Sequence, residues 1–193
     1  MHHLPDQMSG HVLHADFVGA NPDPVLFAGG SSSSYENYLL GDDPSQWAKH
    51  VFAFRTVTYQ ELYPGVDLNL STGEHGLELD YLLQPGANPQ DIQVQFEGAE
   101  DIYLQGEALV VETTVGKMME APPVAYQQNA AGEWEELPCR FVLNEATQTA
   151  GYTFPEGYDS TKTLLIDPPV LVFSTFTGAT ADNWGFTATY DNE

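Results

Sequence analysis

The stretch Leu77-Glu78-Leu79-Asp80-Tyr81-Leu82-Leu83 decides the fold class of this chain. Its odd-numbered positions are apolar, and the acidic residues Glu78 and Asp80 lie between them. This period of two is expected of a β-strand with one buried face and one polar face. The stretch Ile92-Gln93-Val94-Gln95-Phe96 repeats the pattern. The sequence therefore predicts antiparallel β-structure around both stretches.

Similar short runs recur along the chain and are separated by turns that contain glycine or proline, such as Pro64-Gly65, Pro85-Gly86 and Gln105-Gly106. The further predicted strands are His11–Phe17, Val51–Tyr59, Val66–Leu70, Ile102–Leu104, Leu109–Thr113, Val124–Gln127, Arg140–Leu143, Gly151–Phe154, Thr163–Ile166 and Val170–Thr175. Many short strands at regular spacing predict an all-β fold, a β-sandwich-like arrangement of packed antiparallel sheets.

Only single helical turns are predicted besides the strands. Asp43 before Pro44, and Asn88 before Pro89, each place a capping side chain ahead of a proline at the first helical position. The stretch Thr58-Tyr59-Gln60-Glu61 fits a capping box and predicts a third turn.

The charge of the chain restricts its partners. Among 193 residues, 5 are basic and 28 are acidic, which gives a formal net charge of −23. Such a chain repels phosphate, so neither nucleic acid nor an anionic lipid surface is an expected partner. No run approaches the ~20 apolar residues of a membrane-spanning helix, and membrane insertion is not expected. Calcium is the one cofactor that the carboxylate surplus leaves open, with Asp42, Asp67 and Asp182 as weak candidate ligands.

No pattern in the chain predicts catalytic residues, and we expect the chain not to be an enzyme. Glu78 and Asp80 lie two apart on a predicted strand, about 7 Å from each other, which is a separation used by inverting glycosidases. The polar face of an amphipathic strand explains the pair more simply. Cys139 lies in the apolar run Cys139–Leu143, which favours a buried hydrophobe over a nucleophile. A glycoside hydrolase is therefore kept only as an unlikely alternative.

One exposed aromatic residue is a candidate for an interaction surface. Trp134 lies in the acidic stretch Glu133-Trp134-Glu135-Glu136, where its ring is predicted to reach solvent. Such a ring stacks on a sugar or on a partner protein, although packing across a hairpin is commoner. A carbohydrate-binding module is thus the main alternative function.

Several short motifs follow one another in a characteristic order. They are Phe17-Val18-Gly19-Ala20-Asn21-Pro22, Asn37–Trp47, Leu62-Tyr63-Pro64-Gly65-Val66-Asp67-Leu68, Leu77–Tyr81, Pro85-Gly86-Ala87-Asn88-Pro89, Phe96-Glu97-Gly98-Ala99, Pro123–Gln127 and Leu165-Ile166-Asp167-Pro168. In this order they resemble the N-terminal domain of bacterial SBBP-repeat proteins, many of which look like Bacteroidetes gliding-motility-associated surface proteins.

The resemblance implies a secreted, extracellular or cell-surface protein, exported by the type IX route. It further implies a non-catalytic structural or interaction module with a part in adhesion or gliding motility. Residues 1–168 would form the β-sandwich-type module, without the family's first strands. Residues 169–193 would begin a β-propeller-type repeat that is truncated. An absent strand leaves an open sheet edge, so pairing with another protein chain or a surface polymer at that edge is expected.

Overall fold

The computed structural model of the chain describes residues 10–73, 76–129, 131–168 and 171–174, and it is an all-β structure. The strands are β1 (His14–Phe17), β2 (Val25–Gly29), β3 (Tyr35–Tyr38), β4 (Ala48–Phe52), β5 (Thr56–Tyr63), β6 (Val66–Gly73), β7 (Gly76–Leu83), β8 (Val94–Glu97), β9 (Asp101–Gln105), β10 (Ala108–Thr113), β11 (Gly116–Glu120), β12 (Val124–Gln128), β13 (Trp134–Pro138), β14 (Arg140–Asn144), β15 (Thr149–Thr153), β16 (Leu164–Asp167) and β17 (Leu171–Ser174). The predicted fold class is confirmed.

The strands form three larger antiparallel sheets and one hairpin. The widest sheet has seven strands in the order β13-β12-β16-β7-β6-β5-β2. Two four-stranded sheets have the orders β1-β8-β15-β14 and β17-β11-β10-β9, and we call them the β8 sheet and the β10 sheet. Among the described strands, β3 and β4 pair only with each other.

The register of the seven-stranded sheet explains why its centre is buried and one edge is not. One row of directly opposed residues crosses the inner face from Leu26 through Tyr59, Leu68, Tyr81, Ile166 and Ala125 to Leu137. The middle of this row is fully buried, whereas Leu26 on edge strand β2 is 57% exposed. The sheets that cover the centre therefore do not reach β2.

A single hydrophobic core joins the three sheets. The seven-stranded sheet contributes Tyr81 and Ile166, the β8 sheet contributes Phe96 and Tyr152, and the β10 sheet contributes Leu109. Burial of such side chains is worth about 1.5–3 kcal/mol each, so this junction supplies much of the stability of the fold. It also surrounds the cavity described below.

The short turns agree with the sequence at two sites and differ at one. Pro44–Gln46 and Pro89–Asp91 are single 3₁₀ turns, and the side chains of Asp43 and Asn88 accept hydrogen bonds at their N-termini as predicted. The third predicted turn is wrong, because Thr58–Glu61 lies within β5. Pairing with β2 and β6 on both sides outweighs a local capping preference there.

The predicted boundary after residue 168 falls between β16 and β17. Strand β17 is hydrogen-bonded to β11 of the β10 sheet. Most of the segment predicted to begin a repeat lies outside the described residues, so the division of the chain at this point stays a prediction.

Candidate functional site

A cavity of about 140 Å³ lies where the three sheets meet. Strands β7, β8, β11 and β15 all contribute to its wall, together with β1, β10 and β14. Ala15 and Leu77 are exposed and mark its mouth, whereas Tyr81, Phe96 and Tyr152 are buried at its inner end. The alternation of each strand turns its apolar face towards this space, which makes the cavity a product of the core itself.

Glu120 is the only carboxylate among the described residues that line the cavity. It is the last residue of β11, half-buried and directly opposite Leu109 of β10. The inward position follows from the strand period, since Met118 two residues earlier lines the same cavity. Loss of water around the carboxyl group raises the pKa of Glu120 to about 7. Glu120 is therefore close to half-protonated at neutral pH.

Two tyrosines lie near this carboxyl group, and the Cys139 thiol lies near Tyr152. The rings of Tyr81 and Tyr152 pack against each other, with their centroids 5.7 Å apart. Burial raises the pKa of both tyrosines well above the usual range, and the nearby Glu120 carboxylate raises it further. Burial likewise raises the pKa of the Cys139 thiol to about 12. These three groups stay neutral at physiological pH, so Glu120 alone changes its charge there.

A second candidate site is an exposed apolar surface. Ten of the seventeen exposed large apolar side chains of the described residues lie in the segment Val25–Phe54, which we call the apolar edge segment. It comprises β2, β3, β4 and their connections, and β2 is the edge strand of the seven-stranded sheet. Both faces of β2 are uncovered, since the neighbours Leu26 and Phe27 are each more than half exposed. Apolar surface concentrated in this way marks a binding surface more often than a random distribution does.

The charge of the apolar edge segment differs from that of the whole chain. Lys49 lies within it and Arg55 follows it directly, so residues 25–55 contain two of the five basic residues but only three of the 28 acidic ones. The ammonium group of Lys49 lies 5.4 Å from the centroid of the Trp47 ring. This segment is therefore nearly neutral in a chain that is otherwise strongly acidic.

The structure places Glu78 and Asp80 on the face of β7 that points away from the cavity. Each bonds to the residue directly opposite on β6, with Ser71 donating to Glu78 at 3.2 Å and Asn69 donating to Asp80 at 3.4 Å. Partial burial raises the pKa of Asp80, and burial together with Asp80 and Glu78 raises that of Asp167. The pair thus belongs to a polar row on the outer face of the sheet.

Two of the three predicted calcium ligands, Asp42 and Asp67, lie within the described residues. The Asp67 carboxylate accepts a hydrogen bond from the backbone N–H of Glu61 at 2.7 Å, where Glu61 has a positive φ of 50° at an irregularity of the β5–β6 ladder. Asp42 is exposed in the loop before Asp43. Asp182 lies outside the described residues. Within the described part of the chain, no group of three or more acidic, histidine or cysteine side chains is arranged to hold a metal ion.

Trp134 begins edge strand β13 and is 46% exposed, at the opposite side of the seven-stranded sheet from β2. Its partner across the hairpin is Gln128 rather than another aromatic residue. The predicted solvent exposure of the ring is confirmed, and its use as an interaction surface stays a prediction.

Comparison with models of protein families matches residues 1–169 to the family described as Domain of unknown function (DUF7948). The chain belongs to this family. Searches of curated proteins and of solved structures each returned no match. The central cavity and the apolar edge segment both lie inside the region assigned to DUF7948. The resemblance to SBBP-repeat and gliding-motility proteins stays a prediction beside this assignment.

Sequence reasoning missed both sites, and for a common reason. Strands β2, β3, β11 and β13 were not predicted. The first two lie in the apolar edge segment, and β11 carries Glu120. Val25-Leu26-Phe27-Ala28-Gly29 is apolar throughout, so it has no alternation to detect. In Gly116–Glu120 the acidic Glu120 lies on the inward face of the strand, where the alternating pattern predicts an apolar residue. The one available signal in the sequence was Glu120 itself, an acidic residue two positions after Met118 and therefore on the same face of the strand.

Among the described residues, no helix has the length and apolar character needed to cross a lipid bilayer.

Proposed function

We propose that this chain is a non-catalytic structural and interaction module of a large secreted cell-surface protein. We further propose that it docks onto a neighbouring β-rich domain of the same polypeptide through the apolar edge segment. The observation that carries the proposal is the concentration of exposed apolar side chains on and beside an edge strand whose outer backbone groups have no neighbour among the described strands.

The size of the surface supports a stable contact. The segment contributes ten apolar residues that are each 38–73% exposed, which is a large share of the roughly 20–30 residues that a stable interface uses on each partner. Edge strand β2 also offers backbone N–H and C=O groups for strand addition. An unprotected apolar edge is an aggregation hazard, which favours a partner that covers it permanently.

The charge distribution favours a partner from the same acidic polypeptide. A second domain as acidic as this chain would be repelled by most of its surface. The apolar edge segment, with Lys49 and Arg55, is nearly neutral. Electrostatic repulsion of a second acidic domain is therefore smallest at this part of the described surface. We therefore assign the surface to a contact within one polypeptide rather than to a nucleic acid or a lipid.

Hydrogen exchange tests the docking step. The gene is expressed with all of the sequence that is in frame with this chain, and amide exchange is compared with that of the 193-residue chain alone. We expect strong protection of Val25–Gly29 and Ala48–Phe52 in the longer polypeptide only. Equal exchange in both polypeptides, or protection that depends on the concentration of the short chain, would overturn docking within one polypeptide.

A matched pair of variants locates the contact. Leu26→Lys places a charge on the inner face of β2, and Val142→Lys is its control because Val142 is 48% exposed on β14, an edge strand of the β8 sheet. We expect Leu26→Lys alone to abolish the extra protection. Cell fractionation with external protease treatment tests the surface location, and a chain that is found only in the cytoplasm contradicts it.

Carbohydrate binding is the second candidate, and the exposed ring of Trp134 favours it. A glycan array with the chain would show binding that Trp134→Ala abolishes, with Tyr38→Ala as the control at another exposed ring. Binding that survives the loss of Trp134 would remove the observation on which this alternative rests.

A further inference from the structure

The central cavity combines an apolar body with one carboxyl group, that of Glu120. Within the described part of the chain, Lys117, Arg140 and Lys162 pair with Glu112, Glu107 and Asp159 respectively, and none of them pairs with Glu120. Burial raises the pKa of Glu120, and no side-chain hydrogen bond to its carboxyl group is formed by the other residues that the structure describes. Burying a charged carboxylate costs free energy, and a bound cation would recover part of that cost.

The walls of the cavity are suited to an organic cation. Five aromatic side chains line it, namely Phe17, Tyr81, Phe96, Phe141 and Tyr152. The faces of aromatic rings attract ammonium groups, and several rings around one site form the kind of cage that binds alkylammonium ions. The remaining described wall is almost entirely aliphatic and would contact the apolar part of such a ligand.

Size and long-range charge restrict the ligand further. A volume of about 140 Å³ is close to the ~150 Å³ of an apolar cavity that accommodates benzene in another protein. The ligand body is therefore about the size of one six-membered ring. The net charge of −23 attracts cations to the molecule and repels anions.

We propose that the central cavity is a binding site for a small alkyl- or arylammonium ion, whose charged group pairs with Glu120 and whose apolar body contacts the aromatic walls. The mouth at Ala15 and Leu77 admits the ligand, and the Tyr81–Tyr152 pair closes the inner end. This site is separate from the apolar edge segment and does not depend on the docking proposed above.

Three probes of similar shape and different charge test the assignment. Benzylamine, benzyl alcohol and benzoate are titrated into the 193-residue chain by calorimetry and by protein-observed NMR, at concentrations up to about 10 mM. We expect benzylamine to bind at least about tenfold more tightly than benzyl alcohol, and benzoate not to bind. Absence of benzylamine binding, or equal affinity for the amine and the alcohol, would overturn the proposal.

Variants separate the charge from the cavity. Glu120→Gln keeps the shape and removes the charge, so it should lower the affinity for benzylamine to about that for benzyl alcohol. Glu97→Gln is the matched control, since Glu97 is exposed on β8 and does not line the cavity. Ala15→Leu narrows the mouth at an exposed position and should weaken both ligands. An unchanged preference in Glu120→Gln would show that the amine binds elsewhere.

The pH dependence gives an independent readout. The titratable groups that surround Glu120 among the described residues are Tyr81 on β7 and Tyr152 on β15, with Cys139 beside Tyr152, and all three are neutral below about pH 10. Benzylamine affinity should therefore rise as Glu120 deprotonates, between about pH 5 and about pH 8. The affinity of the Glu120→Gln variant should stay constant over this range, and a rise of the same size in the variant would contradict the role of Glu120.

Discussion

At the scale of single residues, Glu120 should set part of the pH dependence of stability. Burial raises its pKa from 4.5 to about 7, so the folded state holds the proton more tightly than the unfolded state does. The stabilising contribution is fully present below about pH 4.5 and is lost as the pH rises through about 7. Partial exposure reduces the size of the effect to about 1–3 kcal/mol.

Glu120→Gln therefore should gain stability relative to the unchanged chain as the pH rises. We expect the difference in unfolding free energy between the two proteins to increase by about 1–3 kcal/mol from about pH 5 to about pH 8, measured by urea denaturation. The variant Glu97→Gln, at an exposed site, should show no such trend. A difference that is independent of pH would mean that Glu120 is solvated in the folded chain.

Asp67 provides a second residue-scale test, because its carboxylate accepts a backbone hydrogen bond and is also a predicted calcium ligand. It accepts the N–H of Glu61 at a strained position of β5, so Asp67→Ala should lower the unfolding free energy by about 1–2 kcal/mol. Asp67→Asn keeps an acceptor oxygen and should lose about half as much. Urea denaturation measures these losses. Thermal unfolding with added calcium or a chelator tests the predicted metal site, and a calcium-dependent shift that disappears in both variants would support calcium binding at Asp67.

At the scale of elements, stability should be distributed unevenly across the seven-stranded sheet. Strands β6 and β7 are paired on both sides and carry the buried residues Leu68 and Tyr81, whereas β2 is an edge strand with exposed side chains. Local opening needs the least free energy where few apolar contacts are broken.

Native-state hydrogen exchange of the 193-residue chain should therefore show early exchange in Val25–Gly29 and in the β3–β4 hairpin. Amides of Val66–Gly73 should exchange only at free energies close to global unfolding. Exchange of β2 as slow as that of β6 would indicate that the edge is already covered in the isolated chain, for example by a second copy.

The same elements show what the sequence predicts and what it does not. Strand β7 was predicted nearly to its ends because Glu78 and Asp80 alternate with apolar residues, and the caps at Asp43 and Asn88 were predicted because capping is local. The packing of one sheet against another, in contrast, is not determined by neighbouring residues in the sequence. The proximity of Glu120 to Tyr81 and Tyr152 depends on three strands far apart in sequence, and no pattern within β11 contains it.

At the scale of the whole molecule, self-repulsion should make stability depend on salt. A net charge of −23 on a chain of this size raises the free energy of the compact state, and the five basic residues cannot neutralise it locally. Mobile ions shorten the range of this repulsion to about 10 Å at 0.1 M and less at higher concentrations. Salt should therefore stabilise the fold even though it weakens ion pairs such as Arg140 with Glu107.

Thermal unfolding at two salt concentrations measures the balance. Between about 50 mM and about 500 mM sodium chloride we expect the Tm to rise by several degrees, which for a chain of this length corresponds to about 1–2 kcal/mol. Tetramethylammonium chloride should give the same increase if screening is general, and an additional increase at low millimolar concentration if the cation also enters the cavity. Binding in the cavity requires Glu120, whereas screening does not. Glu120→Gln should therefore keep the increase in Tm caused by screening and lose the additional increase at low millimolar tetramethylammonium. A Tm that falls with salt would mean that the three observed ion pairs outweigh the repulsion among the remaining carboxylates.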